Sequence, residues 1–317
     1  MSSPEKVLAI CVNWNGQEVL VETLDSLLKS EGIQMKIVVV DNASTDNSLG
    51  LVPPGIEVAL RSKNDGYGAA INSVVEPYFT ESSQREMTPP TYFLLLNNDV
   101  VFEPDTVQRL VEFAERKGPG IFGPRVVQHE RPDHLEMAWG ELTWSHVLAR
   151  FEGKGEKVGP RWDREEPVDL LLGSVLLVHQ NVFEKIGFFD ETFFMYHEEV
   201  DFLYRSQLAG INAYFCNSCQ VRHRGGHSTR QEPWKRIYWT RRNTVLFFRK
   251  HGGSAAHWLY FFATLKMSLF YNIIGLKWRR AGVIMRAVRD GFTGREGPGL
   301  PLPSRAKPTR GTGAIES

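Results

Sequence analysis

The sequence predicts an α/β protein: a mostly parallel central sheet with helices on both faces, extended by a basic, aromatic helical segment at its C-terminal end. Three observations carry this reading. Short apolar runs alternate with stretches of helical periodicity over the first 120 residues, the pattern of βα units. Three of the runs stop at clusters of Asn and Asp, and open α/β sheets bind ligands at the carboxyl ends of their strands. The charge balance then changes along the chain. Lys235 to Ser317 carry 16 Lys+Arg against 3 Asp+Glu, leaving 21 basic and 34 acidic residues in the first 234, although the chain as a whole is neutral.

In chain order, "KVLAICVNWN" (6–15) reads as a buried strand ending in a polar turn, and 17–30 as a helix with apolar Val19, Val21, Leu24, Leu27 and Leu28. "KIVVVDNASTDNS" (36–48) is a second strand halted at Asp41, followed by a loop rich in capping residues. "EVAL" (57–60) is a short strand, and 66–79 the next helix. "YFLLLNNDV" (92–100) is a strand ending in Asn97, Asn98 and Asp99, and 104–118 a helix with Pro104 near its first turn. The stretch 125–167 is polar and rich in Gly, Trp, Glu and Arg and reads as a partly looped region. Order returns with a strand and a short helix in 168–194.

The division expected is a main domain over 1–233, a helical, amphipathic, membrane-associating segment over 234–295 and a Pro- and Gly-rich disordered tail over 296–317. Residues 255–276 are strongly apolar but contain His257 and Lys266 and are flanked by "KWRR". Their length approaches a bilayer span. A lysine near the centre would be costly there, so an in-plane helix on an anionic membrane surface is the expectation, and a helix packed on the main domain the alternative. Three cysteines make no disulfide framework, and "MSSPEKVLAI" lacks the apolar core of a signal peptide, so a reducing, cytoplasmic setting is expected, peripheral on the cytoplasmic face of the cell membrane. Nucleic acid is not expected as a partner.

Several stretches could carry chemistry. Asp99, at a strand end, offers a hard oxygen ligand to Mg²⁺ or Mn²⁺, or simply caps a turn. Asp41 and the following Asn42 could bond a base or ribose, or close a capping turn. "NDGYGAAIN" (64–72) holds Gly66 and Gly68 but is not a dinucleotide fingerprint. Cys216, Cys219, His223 and His227 echo zinc spacing, but the interval is short for a finger and "AYFCNSCQV" reads more naturally as a strand. "FMYHEEVDF" (194–202) places Glu198, Glu199 and Asp201 at a helix start, where carboxylates complement the macrodipole. Asp201 can pair with Arg205 at i,i+4. Glu198 and Glu199 lie about 100° apart around the axis, so only one of them is expected to face a cleft. No nucleophile elbow and no P-loop is present.

Taken together and in order, "VNWN" (12–15), "VVVDNASTDNS" (38–48), "NDGYGAAIN", "LLLNNDV" (94–100), the long run 173–210, "HRGGHS" (223–228) and "YWTRRN" (238–243) resemble the inverting family-2 glycosyltransferases with a GT-A fold, especially their rhamnosyltransferase-like branch. The resemblance covers roughly 7–250. It implies a nucleotide-sugar site of Asn13, Asn15, Asp41, Asn42 and Asn98, with Asn64, Gly66 and Asn72 near the ribose and diphosphate. Asp99 would be the metal-binding end of a DxD-type motif whose first acid is Asn97 here, and His223 a metal- or diphosphate-facing histidine. Glu199, at the second position of the family's Glu-Asp pair, would be the catalytic base. Glu198, Asp201 and Arg242 would support it or face the acceptor. The activity implied is Mg²⁺- or Mn²⁺-assisted single displacement from a dTDP- or UDP-linked sugar, with rhamnose the sugar the branch suggests, to a glycan or lipid-linked acceptor. A sugar nucleotidyltransferase would need a Gly-rich, basic first loop that "VNWNGQEVL" lacks. The non-enzyme alternative is a nucleotide-sugar-binding scaffold at the membrane, in which Glu199 is dispensable.

Overall fold

A computed structural model describes residues 6–80, 88–163, 165–225 and 233–299. Strand β1 (Val7–Asn13) is buried at every position, as a strand covered on both faces must be. It leads to α1 (Leu20–Leu28), β2 (Met35–Asp41), β3 (Glu57–Leu60), α2 (Tyr67–Val75), β4 (Tyr92–Asn97), β5 (Val100–Phe102) and α3 (Thr106–Lys117). These follow the alternation read from the sequence. The region 125–167 is more ordered than expected. After β6 (Ile121–Gln128) it forms β7 (Arg131–Met137), β8 (Gly140–Leu142), β9 (Ala149–Phe151) and β10 (Pro167–Val168). Then come β11 (Val175–His179), α4 (Gln180–Ile186), α5 (Glu198–Leu208) and β12 (Ala213–His223). Helices α6 (Pro233–His251), α7 (Ala255–Ile274) and α8 (Trp278–Phe292) complete the described chain.

The strands order as β10-β12-β6-β11-β4-β1-β2-β3, with β5 added to β12 and β7 to β6, while β8 and β9 form a separate hairpin. The half from β4 to β3 is parallel, β6 and β12 are parallel, and β11 runs antiparallel between β4 and β6. Register sets up the site. Asn13 pairs with Asp41, and Val12 with Asn97, so the three polar strand ends emerge side by side.

One face of the sheet packs on α1 and α3; the other carries a core to which α2, α4, α5 and α6 contribute. Phe247 and Phe248 of α6 are fully buried in that core beside Phe202 and Leu203, each worth about 1.5–3 kcal/mol of burial. Helix α6 therefore shares the core of residues 1–233. Helix α7 differs from the two-faced helix expected: it is apolar on both sides, and only Phe261, Leu265 and Asn272 are buried. Among the described residues no helix is long and apolar enough to cross a membrane.

Candidate active site

A cavity of about 470 Å³ opens at the carboxyl ends of β1, β2 and β4, where the strand order predicts a ligand. Val12, Trp14, Asn42, Asn64 and Asn97 to Asp99 form one side. Glu136, the β8–β9 hairpin, Gly173, the entry to α5 and the first turns of α6 form the other.

The loops after β1 and β2 are locked to each other from within. Asn13 donates from Nδ2 to Asp41 Oδ1 (2.9 Å) and to the Ser48 hydroxyl (2.9 Å), and its Oδ1 accepts from Asn98 Nδ2 (2.7 Å). Asp41 also accepts from the Ser44 N–H and hydroxyl. Asn15 receives the Thr45 N–H at 2.7 Å. Asn13 and Asp41 are thus buried and bonded, and neither lines the cavity; they hold the loops that do. Asn42 lines it directly. Its Nδ2 donates to Gly66 O, while its buried Oδ1 has no hydrogen-bond partner among the described residues. Asn64 Oδ1 caps the Gly66 N–H, a turn that Gly66 completes at φ +101°. A Cβ there would lie 2.0 Å from Phe194 O, so glycine is required for close approach. Asn72, expected near the ribose and diphosphate, is elsewhere. Its amide is spent on the Phe189 backbone and the Glu191 carboxylate, clamping α2 to the chain before α5.

Opposite these loops, His223 bridges two carboxylates: Nε2 lies 3.0 Å from Asp99 Oδ1 and Nδ1 2.5 Å from Glu136 Oε2. Burial opposes protonation of this ring, but the two hydrogen bonds and charges raise it to about 10. Glu136 arrives by a register shift in the β6–β7 pairing, where Val126 faces Met137 and Val127 faces Leu135, so Glu136 is the extra residue. Such bulges re-aim side chains near sites. Among the described residues no group of three or more His, Cys, Asp or Glu could hold a metal. A divalent cation would be held by Asp99 and, in exchange for the Nε2 proton it shares with Asp99, by His223, with substrate phosphates supplying further oxygens. Cys216 and Cys219 meet each other at 3.1 Å, while His223 is bonded to Asp99 and Glu136; His227 lies outside the described residues.

Helix α5 starts from two left-handed residues, Tyr196 (φ 66°) and His197 (φ 73°). Such backbone costs roughly 1–2 kcal/mol per residue. Helix α6 holds it: Asn243 Nδ2 donates to Met195 O and Tyr196 O, and Thr244 Oγ1 meets His197 Nε2 at 3.2 Å. The consequence corrects the expectation that only one of the pair faces a cleft, because Glu198 and Glu199 both line the cavity. Among the described residues neither has an ion-pair partner, and Glu198 Oε2 is buried without a hydrogen bond. Burial and the neighbouring Glu199 charge push Glu198 well above the ordinary carboxylate range. Burial also raises Glu199, offset in part by backbone N–H groups at the helix start.

Two other expected site residues are placed outside the cavity. Asp201 is fully buried behind α5, bonded to Arg205 (2.8 Å), Lys250 (2.8 Å) and His251 (2.7 Å). Burial opposes its charge, but these partners hold the carboxyl at about 2. Arg242 is buried against α8, donating to Asn243 Oδ1 and Gly297 O and lying over the Tyr238 ring. Its neighbour one helical step away, Arg241, lines the cavity with Arg236 and Thr240. Burial and nearby Arg280 lower the Arg241 guanidinium to about 10. Glu136, Arg236 and Arg241 were not singled out by sequence. For the arginines, the apolar stripe Tyr238, Trp239, Val245 gives the signal, since it shows which face of α6 is inward. Glu136 depends on the bulge and has no such signal.

Comparison with known proteins agrees with this geometry. The chain is 26% identical to an N-acetylglucosaminyl-diphospho-decaprenol L-rhamnosyltransferase of Mycobacterium tuberculosis, over 77% of this chain and 84% of the relative. It is 26% identical to the low-salt glycan biosynthesis hexosyltransferase Agl10 of Haloferax volcanii, over 75% and 73%. Among solved structures, S. aureus TarS 1-349 in complex with UDP-GlcNAc superposes with a TM-score of 0.58 at 14% identity, covering 91% of this chain and 81% of that one. GalNAc-T7 with UDP, GalNAc and Mn²⁺ gives 0.53 at 15%, covering 70% and 44%. The fold is GT-A. The profile of Glycosyl transferase family 2 matches residues 9–202, and the chain belongs to that family.

Proposed function

We propose that the protein is an inverting glycosyltransferase in which Glu199 is the general base. The observation that carries this is the pair Glu198 and Glu199, raised in pKa and without cationic partners among the described residues, facing the same cavity as Asp99 and His223. Two neighbouring carboxyls whose surroundings push them to different degrees suit an acid–base division. Glu198, pushed up further by burial and by the Glu199 charge, is the one that keeps its proton, and Glu199 is the one that ionises and accepts the acceptor's proton.

The donor's nucleoside lies against Trp14 and Asn42, whose free Oδ1 awaits a hydrogen-bond donor, and its diphosphate lies beside Asp99, His223, Arg236 and Arg241. Glu199 takes the proton of an acceptor hydroxyl. The hydroxyl oxygen bonds to the anomeric carbon as the bond to the nucleoside diphosphate breaks, inverting the configuration. When bound at Asp99 and His223, Mg²⁺ or Mn²⁺ supplies charge neutralisation for the leaving group. Glu136 fixes the His223 ring so that Nε2 faces Asp99. The donor is a dTDP- or UDP-linked sugar, with rhamnose first because relatives are named rhamnosyltransferases. The acceptor is a glycan or lipid-linked saccharide, reached from the cytoplasmic face of the cell membrane by a peripheral enzyme.

The test is nucleoside diphosphate release from a panel of dTDP- and UDP-sugars with Mg²⁺ or Mn²⁺ and a lipid extract as acceptor, followed by NMR of the product's anomeric proton. One donor turned over with inversion supports the reading. A donor that binds but is never consumed would assign the chain to a sugar-nucleotide-binding scaffold instead.

A further inference from the structure

Helix α7 packs one side on the protein and leaves the opposite side uncovered. Phe261, Leu265 and Asn272 face inward at helical spacing, whereas Leu259 (73% exposed), Phe270 (57%), Tyr271 (68%) and Ile274 (62%) face out. Leu276 and Trp278 extend the exposed run. A helix that is apolar all round belongs in a core or a lipid phase, and an apolar patch this continuous marks an interaction surface. The charge around it selects the partner. From Gly252 to Arg289 there is no carboxylate; Arg286 and Arg289 are paired with Asp290, whereas Lys266, Lys277, Arg279 and Arg280 are exposed and have no ion-pair partner among the described residues. That combination complements the headgroups of an anionic bilayer.

The inner side of the same helix holds a wall of the cavity. Trp144 stacks on His257 at 4.5 Å, and the His146 N–H donates to Thr264 Oγ1 at 3.2 Å. The next residues, Val147, Leu148 and Ala149, line the cavity, and Arg241 donates to His146 O. Only one turn of hairpin therefore separates the exposed helix from the space that Glu199 faces.

We infer that the outer face of α7 lies in the surface of an anionic bilayer, and that the 143–149 hairpin it carries is the edge past which a lipid-linked acceptor reaches Glu199. This rests on the transferase reading for the acceptor but not for the docking, and the two are separable. The experiment is co-sedimentation with phosphatidylglycerol/phosphatidylcholine vesicles and with pure phosphatidylcholine, together with turnover on a lipid-linked acceptor in vesicles and on a short-chain, water-soluble analogue. Wild type should bind the anionic vesicles. Replacing Lys277, Arg279 and Arg280 with Gln should weaken binding about fivefold for each charge removed. The variant Leu259→Glu/Phe270→Glu/Ile274→Glu should lose vesicle binding and turnover on the lipid-linked acceptor while retaining turnover on the soluble analogue. If that variant fails to fold, a fluorophore at Phe270→Cys reports instead, since the native Cys11, Cys216 and Cys219 are buried; its emission should shift blue on vesicles. No vesicle binding at any anionic content, or an unshifted probe, overturns the docking. So does a solution dimer that Phe270→Glu splits, which would give the face to a second copy. Failure of the soluble acceptor with wild type would count against the transferase reading, not the docking.

Discussion

The two sides of α5 place similar carboxylates in opposite surroundings. Asp201, on the side away from the cavity, is met by Arg205, Lys250 and His251 and held at about 2. Glu198 and Glu199, three and two residues earlier, are met by no cation among the described residues and are pushed upward. One cluster is saturated and ties α5 to α6. The other costs stability, because a buried charge without a partner is disfavoured. A protein that can surround one acid on a helix with an arginine, a lysine and a histidine has no structural need to leave two others bare. The difference separates residues that build the site from residues that use it.

The predictions sharpen that contrast, from the largest effect downward. Glu199→Gln should lower turnover by roughly 10²–10⁴-fold, the usual worth of a positioned general base, with the fold intact by circular dichroism. Asp201→Asn should do the reverse: urea titration should show a loss of about 3–5 kcal/mol from a broken buried ion cluster, with turnover per folded molecule retained. The sign with pH follows from its depressed pKa. The Asp201 contribution is complete above the unfolded-state value of about 3.9 and is lost as pH falls toward about 2; the Asn variant should lack that acid-dependent component. Gly66→Ala should weaken donor binding measured by calorimetry and cost roughly 1–3 kcal/mol of stability, since the new Cβ meets Phe194 O. Glu198→Gln should have the smallest effect on the fold, raising the thermal midpoint at pH 7. The raised Glu198 pKa favours the folded state only at low pH, and that contribution is lost as pH rises above about 4.3; the amide has no such loss. In wild type the acid limb of kcat against pH should lie above the ordinary Glu value, because Glu199 must be ionised to act.

Much of the architecture was legible because strands and helices announce themselves by periodicity. Strand ends at Asn13, Asp41 and Asn97 fall side by side in the parallel register, so the position of the cavity followed from the pattern. Which side chains face the cavity did not follow. Asp41 and Asn72 read as ligand contacts but are consumed by internal hydrogen bonds, and the burial of Arg242 instead of Arg241 turns on a 100° step around α6. That Glu198 and Glu199 both face in depends on the left-handed Tyr196 and His197, a backbone choice set by Asn243 and Thr244 some 47 residues away. Glu136 depends on an irregularity in strand pairing. Local pattern encodes elements; a site assembled by long-range register and backbone strain shows only once the chain is folded.

The most direct test of the contrast is to measure donor affinity and turnover for Glu199→Gln and Asp201→Asn side by side, on folded protein at neutral pH. The account predicts wild-type donor affinity without turnover in Glu199→Gln, and near-wild-type turnover in Asp201→Asn despite its lowered stability. Turnover in Glu199→Gln within a few-fold of wild type, or turnover abolished in folded Asp201→Asn, would contradict it.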